Sequence, residues 1–275
     1  MSQKITFIGG GNMASSLIAG LLNNQYPASD IHVAEPDQAK AEQLQQQYGI
    51  TAYTDNQQAI AAADIIVLAT KPQVMQQVCK DLADSAQLSQ PLFISIAAGL
   101  LSKDISRWLG DNISLVRCMP NTPSLLNQGA TGLYANSHVS AQQKQQADQI
   151  LATAGVNVWV EHETQLDAVT AVSGSGPAYY FLFMEAMQKA AEQLGLDQQQ
   201  ARTLSLHTAL GAARMALESD EDAATLRARV TSKGGTTEQA IKIFEQHRLQ
   251  DIVMQAMQAA NDKAIELADI LGKDE

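Results

Sequence analysis

Two glycine-rich segments of the chain contain the residue types that bind anionic groups through the protein backbone. The first follows the apolar run 4–8 and reads Gly9-Gly10-Gly11-Asn12-Met13-Ala14. In such a G-x-G-x-x-A pattern the first glycine allows a tight turn, the second lets the backbone approach a pyrophosphate, and the small third residue lets a helix pack closely on a strand. The unpaired N–H groups at that helix start would face the phosphates. The pattern predicts dinucleotide binding; the alternative is an ordinary strand–helix turn whose glycines serve packing alone.

Glu35 is the residue that bears on which dinucleotide is bound. It directly follows the next predicted strand, residues 31–34. A carboxylate roughly 20 residues after the glycines accepts hydrogen bonds from a ribose 2′-OH, which favours NADH over NADPH. The nearest following cation is Lys40, about one helical turn into the next element. The alternative is that Glu35 caps the helix after Pro36, so the choice between NADPH and NADH stays open.

The second glycine-rich segment covers residues 230–238 and precedes a helix predicted to run to about His247. Free N–H groups at that helix start, together with the hydroxyls of Ser232, Thr236 and Thr237, form a cradle suited to a small planar anion such as a carboxylate. The alternative is a capped helix with Thr236 or Thr237 at the N-cap.

The elements that position these segments change in kind along the chain. The predicted strands are 4–8, 31–34, 65–69, 92–96, 115–119 and 156–160, and the predicted helices between them are 15–22, 39–48, 73–82, 102–109 and 141–152. Apolar strands that alternate with helices indicate a mostly parallel, doubly wound α/β sheet covered on both faces. After Thr164 only helical patterns remain, and Pro177 suits the first turn of a new helix. We therefore expect a dinucleotide-binding domain at 1–162 and an all-helical domain at 163–275.

Three loops are expected at one edge of this sheet. They are residues 69–72, 97–99 and 119–123, and each follows a predicted strand. Ligands of open α/β sheets bind outside the carboxyl ends of the strands. Small residues and prolines there would shape a wall for the cofactor's ribose and nicotinamide, although each loop could also be an ordinary turn fixed by proline.

Composition excludes several classes of protein. The formal charge of −11 disfavours nucleic acid or an anionic membrane as a partner, and 45% hydrophobic residues suffice for real cores. The longest apolar run is far shorter than the roughly 20 residues that cross a bilayer. A strand signal at Lys4 leaves no room for a signal peptide, so we expect a cytoplasmic protein. Two cysteines and five scattered histidines lack metal-ligand spacing, which predicts buried reduced thiols and no metal site.

Taken together, the motifs resemble those of the pyrroline-5-carboxylate reductase family. The matching stretches are 7–14, Lys71-Pro72, 119–123, 167–179 and 230–240, in the expected order over nearly the whole chain. The two motifs of the helical domain are the specific ones, whereas many dehydrogenases share the first. The resemblance implies a Rossmann domain followed by an all-α dimerisation domain, and reduction of L-Δ1-pyrroline-5-carboxylate, a cyclic imino acid, to L-proline by NADPH or NADH. It also implies a homodimer at least, and it allows a decameric ring.

The resemblance also assigns roles to residues. Thr237 would act in catalysis by hydrogen-bonding the ring nitrogen, and the substrate would be bound by Ser232, Gly234, Gly235, Thr236 and Pro177. The dinucleotide would be bound by Gly9, Gly11, Asn12, Met13, Glu35, Asn56, Ala69, Thr70, Lys71, Pro72, Ala97 and Ala98. Rate enhancement would come mainly from alignment of the nicotinamide with the imine carbon.

Two departures from the family pattern bear on these roles. Lys233 stands where the family often has proline, and Glu35 stands where members that use NADPH often have Ser, Asn or Arg nearby. Three rival functions are to be weighed against this resemblance. A β-hydroxyacid dehydrogenase would carry a catalytic lysine shortly after the glycines, but none occurs here between Gly176 and Lys189. A reductase of another small cyclic imine and a non-catalytic dinucleotide-sensing regulator stay open.

Overall fold

The structure is a computed structural model that describes residues 3–273. Within them, eight strands form one sheet: β1 Ile5–Ile8, β2 Ile31–Ala34, β3 Thr51–Tyr53, β4 Ile65–Leu68, β5 Leu92–Ser95, β6 Ser114–Met119, β7 Gly129–Ala135 and β8 Gly155–Trp159. The strand order is β3-β2-β1-β4-β5-β6-β7-β8. All neighbouring pairs are parallel except β6 with β7. The predicted doubly wound, mostly parallel sheet is confirmed.

The helices of the first half are α1 Asn12–Asn23, α2 Gln38–Tyr48, α3 Asn56–Ile60, α4 Pro72–Ser89, α5 Ser102–Leu109 and α6 Ala141–Ala152. Those that follow are α7 Gln165–Val169, α8 Gly176–Gln193, α9 Gln198–Glu218, α10 Ala223–Arg229, α11 Thr236–Gln246 and α12 Leu249–Leu271. Short 3-10 turns occur at Ala28–Asp30 and Thr122–Leu126, and a π-helical turn at Thr170–Gly174 joins α7 to the segment before α8.

Alternate residues of each central strand enter two separate cores. Ile65 and Val67 of β4 belong to a cluster that also contains Cys118 of β6. Their neighbours Ile66 and Leu68 belong to a second cluster, which contains Cys79 of α4. Side chains of a strand alternate between its faces, so the two clusters cover opposite faces of the sheet. Both faces are therefore dry, as an almost wholly parallel sheet requires.

Contacts divide the described chain into two compact units. The first contains residues 3–175 and 259–273, with the whole sheet, and the second is the helical segment 176–258. In the second unit α8 packs on α9, and the rings of Phe183 and Phe244 lie 6.1 Å apart. The sequence-based division into 1–162 and 163–275 concerns folding domains and stays a prediction.

Two strands were missed by the sequence patterns. Strand β3 has only three residues, and β7 contains glycines that interrupt the apolar run by which a strand is predicted. The glycine at position 132 has a packing reason: a Cβ there would lie 2.6 Å from a methyl of Val169 on α7. The expected helix at 73–82 is also longer, since α4 begins at Pro72 and ends at Ser89.

Candidate active site

The first glycine-rich turn joins β1 to α1, and its glycines have different reasons to be there. Gly9 has φ +99°, and its N–H donates to the carbonyl of Ala34 at 2.8 Å. A Cβ on Gly9 would lie 2.8 Å from the carbonyl oxygen of Ala69. Gly11 has φ −70°, and a Cβ there would meet nothing within 4 Å. Gly9 is therefore required by the fold, whereas Gly11 borders open space.

The start of α1 offers free donors to that open space. Gly11 is the N-cap, and no side chain among the described residues caps it. The first backbone bond of the helix joins the N–H of Ser15 to the carbonyl of Gly11 at 2.9 Å, which leaves the N–H groups of Asn12 and Met13 ahead of the ladder. Free N–H groups beside an unfilled space fit a pyrophosphate.

Glu35 lies against the same turn. Its side chain is 9% exposed, and Oε2 accepts hydrogen bonds from the N–H of Gly10 at 3.1 Å and from Nζ of Lys40 at 2.8 Å. The alternative reading of Glu35 as a helix cap was wrong. Asp37 caps α2, because its carboxylate accepts from the N–H groups of Ala39 and Lys40.

The other residues expected to bind the dinucleotide follow neighbouring strands. The N–H of Ala69 donates to the carbonyl of Ile8 at 2.9 Å, so the loop after β4 lies beside the glycine turn. Within this loop, Lys71 is the extended N-cap of α4, Pro72 is its first residue, and the Thr70 hydroxyl is 3.5 Å from the sulfur of Met75. Parallel strands β1, β2, β4 and β5 end at one edge of the sheet, which places segments 9–11, 69–72 and 97–98 at that edge.

The remaining expected residues of this group differ in exposure. Ala97 is buried and Ala98 is exposed, both just after β5. Asn56 is half-buried at the first residue of α3, beyond the outer strand β3. Helix α3 contacts β2 and β3, so Asn56 lies on the side of the sheet where Glu35 follows β2.

The loop after β6 is tied to the π-helical turn by Asn121, whose role the sequence patterns did not reveal. The side-chain amide of Asn121 donates to the carbonyl of Ser173 at 3.0 Å, and its oxygen accepts from the N–H of Ala130 at 2.9 Å. A Cβ on Gly174 would lie 2.6 Å from the terminal carbon of Met119. The signal was present, since Asn121 and Ser173 both lie in motifs singled out from the sequence, but no local pattern pairs them.

A buried charge cluster lies beside that turn. Arg117 of β6 is 4% exposed, and its guanidinium is 3.1 Å from the Glu163 carboxylate, which also accepts from the N–H and hydroxyl of Ser102 at 2.6 Å each. Burial raises the pKa of Asp167, and nearby Glu163 raises it further, whereas Arg117 opposes the shift. The cluster joins the start of α5, strand β6 and the segment that leads into α7.

The second glycine-rich turn precedes α11 in the helical unit. Gly234 has φ +75°, and its N–H donates to Glu238 at 2.9 Å. The N–H of Gly235 donates to the carbonyl of Ser232 at 3.0 Å. Gly235 is the N-cap, and no side chain of the described chain caps the helix, so the alternative that Thr236 or Thr237 fills that position was wrong.

Thr236 and Thr237 provide the hydrogen-bond donors of this turn through their hydroxyls and backbone N–H groups. Thr236 and Thr237 are the first two residues of α11, where backbone N–H groups have no partner within the helix. The bond to the Gly234 N–H and the ion pair with Lys242 hold the pKa of Glu238 below its usual range. Glu238 is therefore ionised at neutral pH. Pro177 lies in the first turn of α8, as expected, on a different helix of the same unit.

Comparison with known proteins assigns the family. The chain is 50% identical over 272 residues to a pyrroline-5-carboxylate reductase of Pseudomonas aeruginosa, with 99% of both chains covered. This chain belongs to the pyrroline-5-carboxylate reductase family. A pyrroline-5-carboxylate reductase of Vibrio alginolyticus is 46% identical, with 96% of this chain and 97% of that protein covered.

Family models and solved structures agree with this membership. A model described as pyrroline-5-carboxylate reductase dimerisation matches residues 163–267, and one described as NADP oxidoreductase, coenzyme F420-dependent, matches residues 4–99. A structure of a pyrroline-5-carboxylate reductase from Coxiella burnetii has a TM-score of 0.94 at 45% identity, covering 98% of this chain and 99% of that one. A Plasmodium falciparum pyrroline carboxylate reductase with NADP bound has a TM-score of 0.85 at 28% identity, with 97% and 98% covered.

These findings confirm the expected organisation of this reductase-family chain, with an NAD(P)H-dependent Rossmann region followed by a helical dimerisation region. Between residues 3 and 273, no helix is both long and apolar enough to span a membrane. Over the same residues, no three His, Cys, Asp or Glu side chains are grouped so that they could hold a metal ion.

Proposed function

We propose that the protein reduces L-Δ1-pyrroline-5-carboxylate to L-proline with NADPH or NADH. The observation that carries the proposal is the pair of glycine-rich helix starts. One lies at the carboxyl edge of the sheet and the other in a turn that belongs to the family's helical region. Each presents backbone donors that suit an anion, a pyrophosphate at the first and the substrate carboxylate at the second.

At the sheet edge, residues Gly9 and Gly11 give the turn its shape and its open face, and the N–H groups of Asn12 and Met13 hold the pyrophosphate. Segments 69–72 and 97–98 form the wall for the rest of the dinucleotide. When bound, the nicotinamide supplies a hydride to C5 of the substrate imine. The chain contributes by holding the two reacting carbons in line and by excluding competing reactions of the cofactor.

At the second turn, the substrate carboxylate is held by the Ser232 hydroxyl and by the Thr236 hydroxyl and N–H. Gly234 and Gly235 act by shaping the turn, because their own N–H groups already bond Glu238 and Ser232. A Cβ on Gly235 would lie 2.6 Å from the Ser232 hydroxyl oxygen, so a side chain at this position would displace the hydroxyl that is proposed to bind the carboxylate. Pro177 supports the packing of the ring.

Thr237 hydrogen-bonds the ring nitrogen, whose charge changes during the reaction. The imine can arrive protonated, so the reaction does not require a strong acid from the protein. Glu238 does not supply one, since its lowered pKa keeps it ionised. Transition-state stabilisation then comes from the Thr237 hydroxyl and from alignment of the reactants.

The working assembly is proposed to be a homodimer at least, with a decameric ring as the larger form. A cytoplasmic location is proposed because the reaction consumes NADPH or NADH, which are intracellular cofactors. The family model for dimerisation over residues 163–267 supports the oligomer.

The test follows the oxidation of NADH and of NADPH separately, with pyrroline-5-carboxylate as substrate. We expect stoichiometric formation of L-proline with at least one cofactor. Turnover only with a different cyclic imine would replace the substrate. Dinucleotide binding without turnover of any imine would instead favour a sensing role.

A further inference from the structure

Two opposite charges meet where β2 ends beside the first glycine turn. The Lys40 ammonium lies 2.8 Å from Oε2 of Glu35, and the same oxygen accepts from the N–H of Gly10. The Glu35 side chain is 9% exposed, whereas that of Lys40 is 43% exposed. The carboxylate is thus fixed against the turn, while the ammonium lies on the solvent side of the carboxylate.

These charges lie at the position where this fold recognises the ribose on the adenine side of the dinucleotide. A carboxylate there accepts from the 2′-OH of NADH, and a cation nearby accommodates the 2′-phosphate of NADPH. Either group alone would select one cofactor, since a bare carboxylate repels a phosphate. This chain carries both, already paired.

The pairing leaves unused capacity on each side. An ammonium has three donors, and Glu35 engages one of them. Among residues 3–273, the second oxygen of Glu35, Oε1, has one long contact, at 3.4 Å from the N–H of Asp37. The carboxylate of Asp37 is itself turned to the N–H groups of Ala39 and Lys40. Lys40 can therefore bind a phosphate while still pairing with Glu35, and Oε1 can accept a ribose hydroxyl.

We infer that the Glu35–Lys40 pair sets the cofactor choice of this protein: Lys40 binds the 2′-phosphate of NADPH and Glu35 binds the 2′-OH of NADH. The inference deepens the proposed function and rests on its dinucleotide site. It assigns to Lys40 a role that the glycine pattern alone does not give. It also predicts that the protein accepts both cofactors.

The experiment measures binding of cofactor fragments by calorimetry, so that it does not depend on turnover. The ligands are 2′,5′-ADP, which carries the 2′-phosphate, and 5′-ADP, which has a free 2′-OH. The variants are Lys40→Gln, Lys40→Arg and Glu35→Gln. Lys80→Gln is the matched control, because Lys80 is an exposed lysine on α4 and its loss changes the net charge equally.

For Lys40→Gln we expect affinity for 2′,5′-ADP to fall about tenfold or more, the size of a lost charged hydrogen bond, with 5′-ADP changed less than about twofold. Lys40→Arg should retain binding of 2′,5′-ADP. Glu35→Gln should lower the affinity for 5′-ADP and raise the affinity for 2′,5′-ADP. Lys80→Gln should change neither ligand appreciably. Steady-state ratios of kcat/KM for NADPH and NADH should move in the same directions.

Equal losses of both ligands in Lys40→Gln would overturn the inference, because the lysine would then only support the turn. A loss no larger than that of Lys80→Gln would overturn it as well. Failure of the proposed reaction has a different result, since the fragments would then bind as expected while no imine is reduced.

Discussion

The side-chain amide of Asn121 bonds the carbonyl of Ser173 at 3.0 Å, joining two segments 52 residues apart. The same side chain accepts from the N–H of Ala130, so one residue in the loop after β6 satisfies backbone groups of two other segments. Asn121 is 9% exposed, and water cannot readily replace these bonds. The position of the π-helical turn 170–174 therefore depends on the loop that follows β6.

Replacing Asn121 by alanine should loosen that turn. We expect a loss of about 1–3 kcal/mol in unfolding free energy, because a buried donor and a buried acceptor lose their partner. The melting temperature should fall by several degrees, and KM for the imine should rise. Asn157→Ala is the control, since Asn157 of β8 bonds Asp148 and not the turn; it should lower stability without raising KM. An unchanged melting temperature and unchanged kinetics of Asn121→Ala would show that the turn keeps its position without the Asn121 bonds.

Gly11→Val should abolish dinucleotide binding without unfolding the protein. The φ of −70° suits valine, and the new side chain would enter the open space ahead of α1. We expect about 1 kcal/mol of destabilisation from the poorer N-cap. Calorimetric titration with NADPH and NADH checks the binding. Gly9→Ala should instead destabilise the fold, because φ is +99° and the new Cβ would clash with the Ala69 carbonyl oxygen. Normal affinity in Gly11→Val would remove the proposed pyrophosphate site.

Thr237→Ala should lower kcat and kcat/KM together, by about tenfold or more, since a bond to a changing charge is felt in the transition state. Gly235 caps α11, so we expect little change in melting temperature. Thr236→Ala is the neighbouring control and should act mainly through KM. Steady-state kinetics and thermal melts of both variants separate the two roles. A destabilised Thr237→Ala enzyme with normal kcat would assign the hydroxyl to structure and leave the backbone N–H groups as the donors.

The helical unit should associate in solution. Its exposed apolar side chains include those of Tyr180, Phe181 and Leu182, with 64% of Phe181 exposed. Light scattering at micromolar concentration should give a dimer or a larger species. Phe181→Glu should weaken the assembly, whereas Leu88→Glu, at an exposed position of α4, should leave it intact. A monomeric wild-type protein would refute the expectation.

Asp167→Asn should stabilise the protein near neutral pH. Burial raises the pKa of Asp167 above its ordinary value of 3.8, so at pH values between the unfolded-state and the folded-state pKa the folded chain holds a proton that the unfolded chain has released. The contribution of this group to stability is full below that value and is lost as pH rises through the raised pKa. Melting temperatures at pH 4 and pH 7 should therefore differ less in the variant than in the wild type. A variant that is less stable at pH 7 would show that the attraction to Arg117 outweighs the burial.

The sequence predicts well what is encoded locally. Helices α5 and α6 have the expected bounds, and β2 ends where expected, because apolar spacing and turn residues specify each of them. The alternative readings of Glu35 and of Thr236 or Thr237 as helix caps named the wrong residues, since several neighbouring side chains or a glycine can fill an N-cap equally well. The Asn121–Ser173 bond lies outside any local pattern. Antiparallel β7 was missed because packing against α7 demands glycine rather than an apolar side chain.

The two cysteines lie on opposite faces of the sheet, one in each core cluster. Burial raises the pKa of the Cys79 thiol to about 12 and that of Cys118 further. Neither thiolate is available to a reagent while its layer stays closed. The chain thus contains two intrinsic chemical probes of its own opening. The labelling rate of Cys79 reports the layer under α4, that of Cys118 reports the opposite layer, and a difference between them would show that the faces open separately.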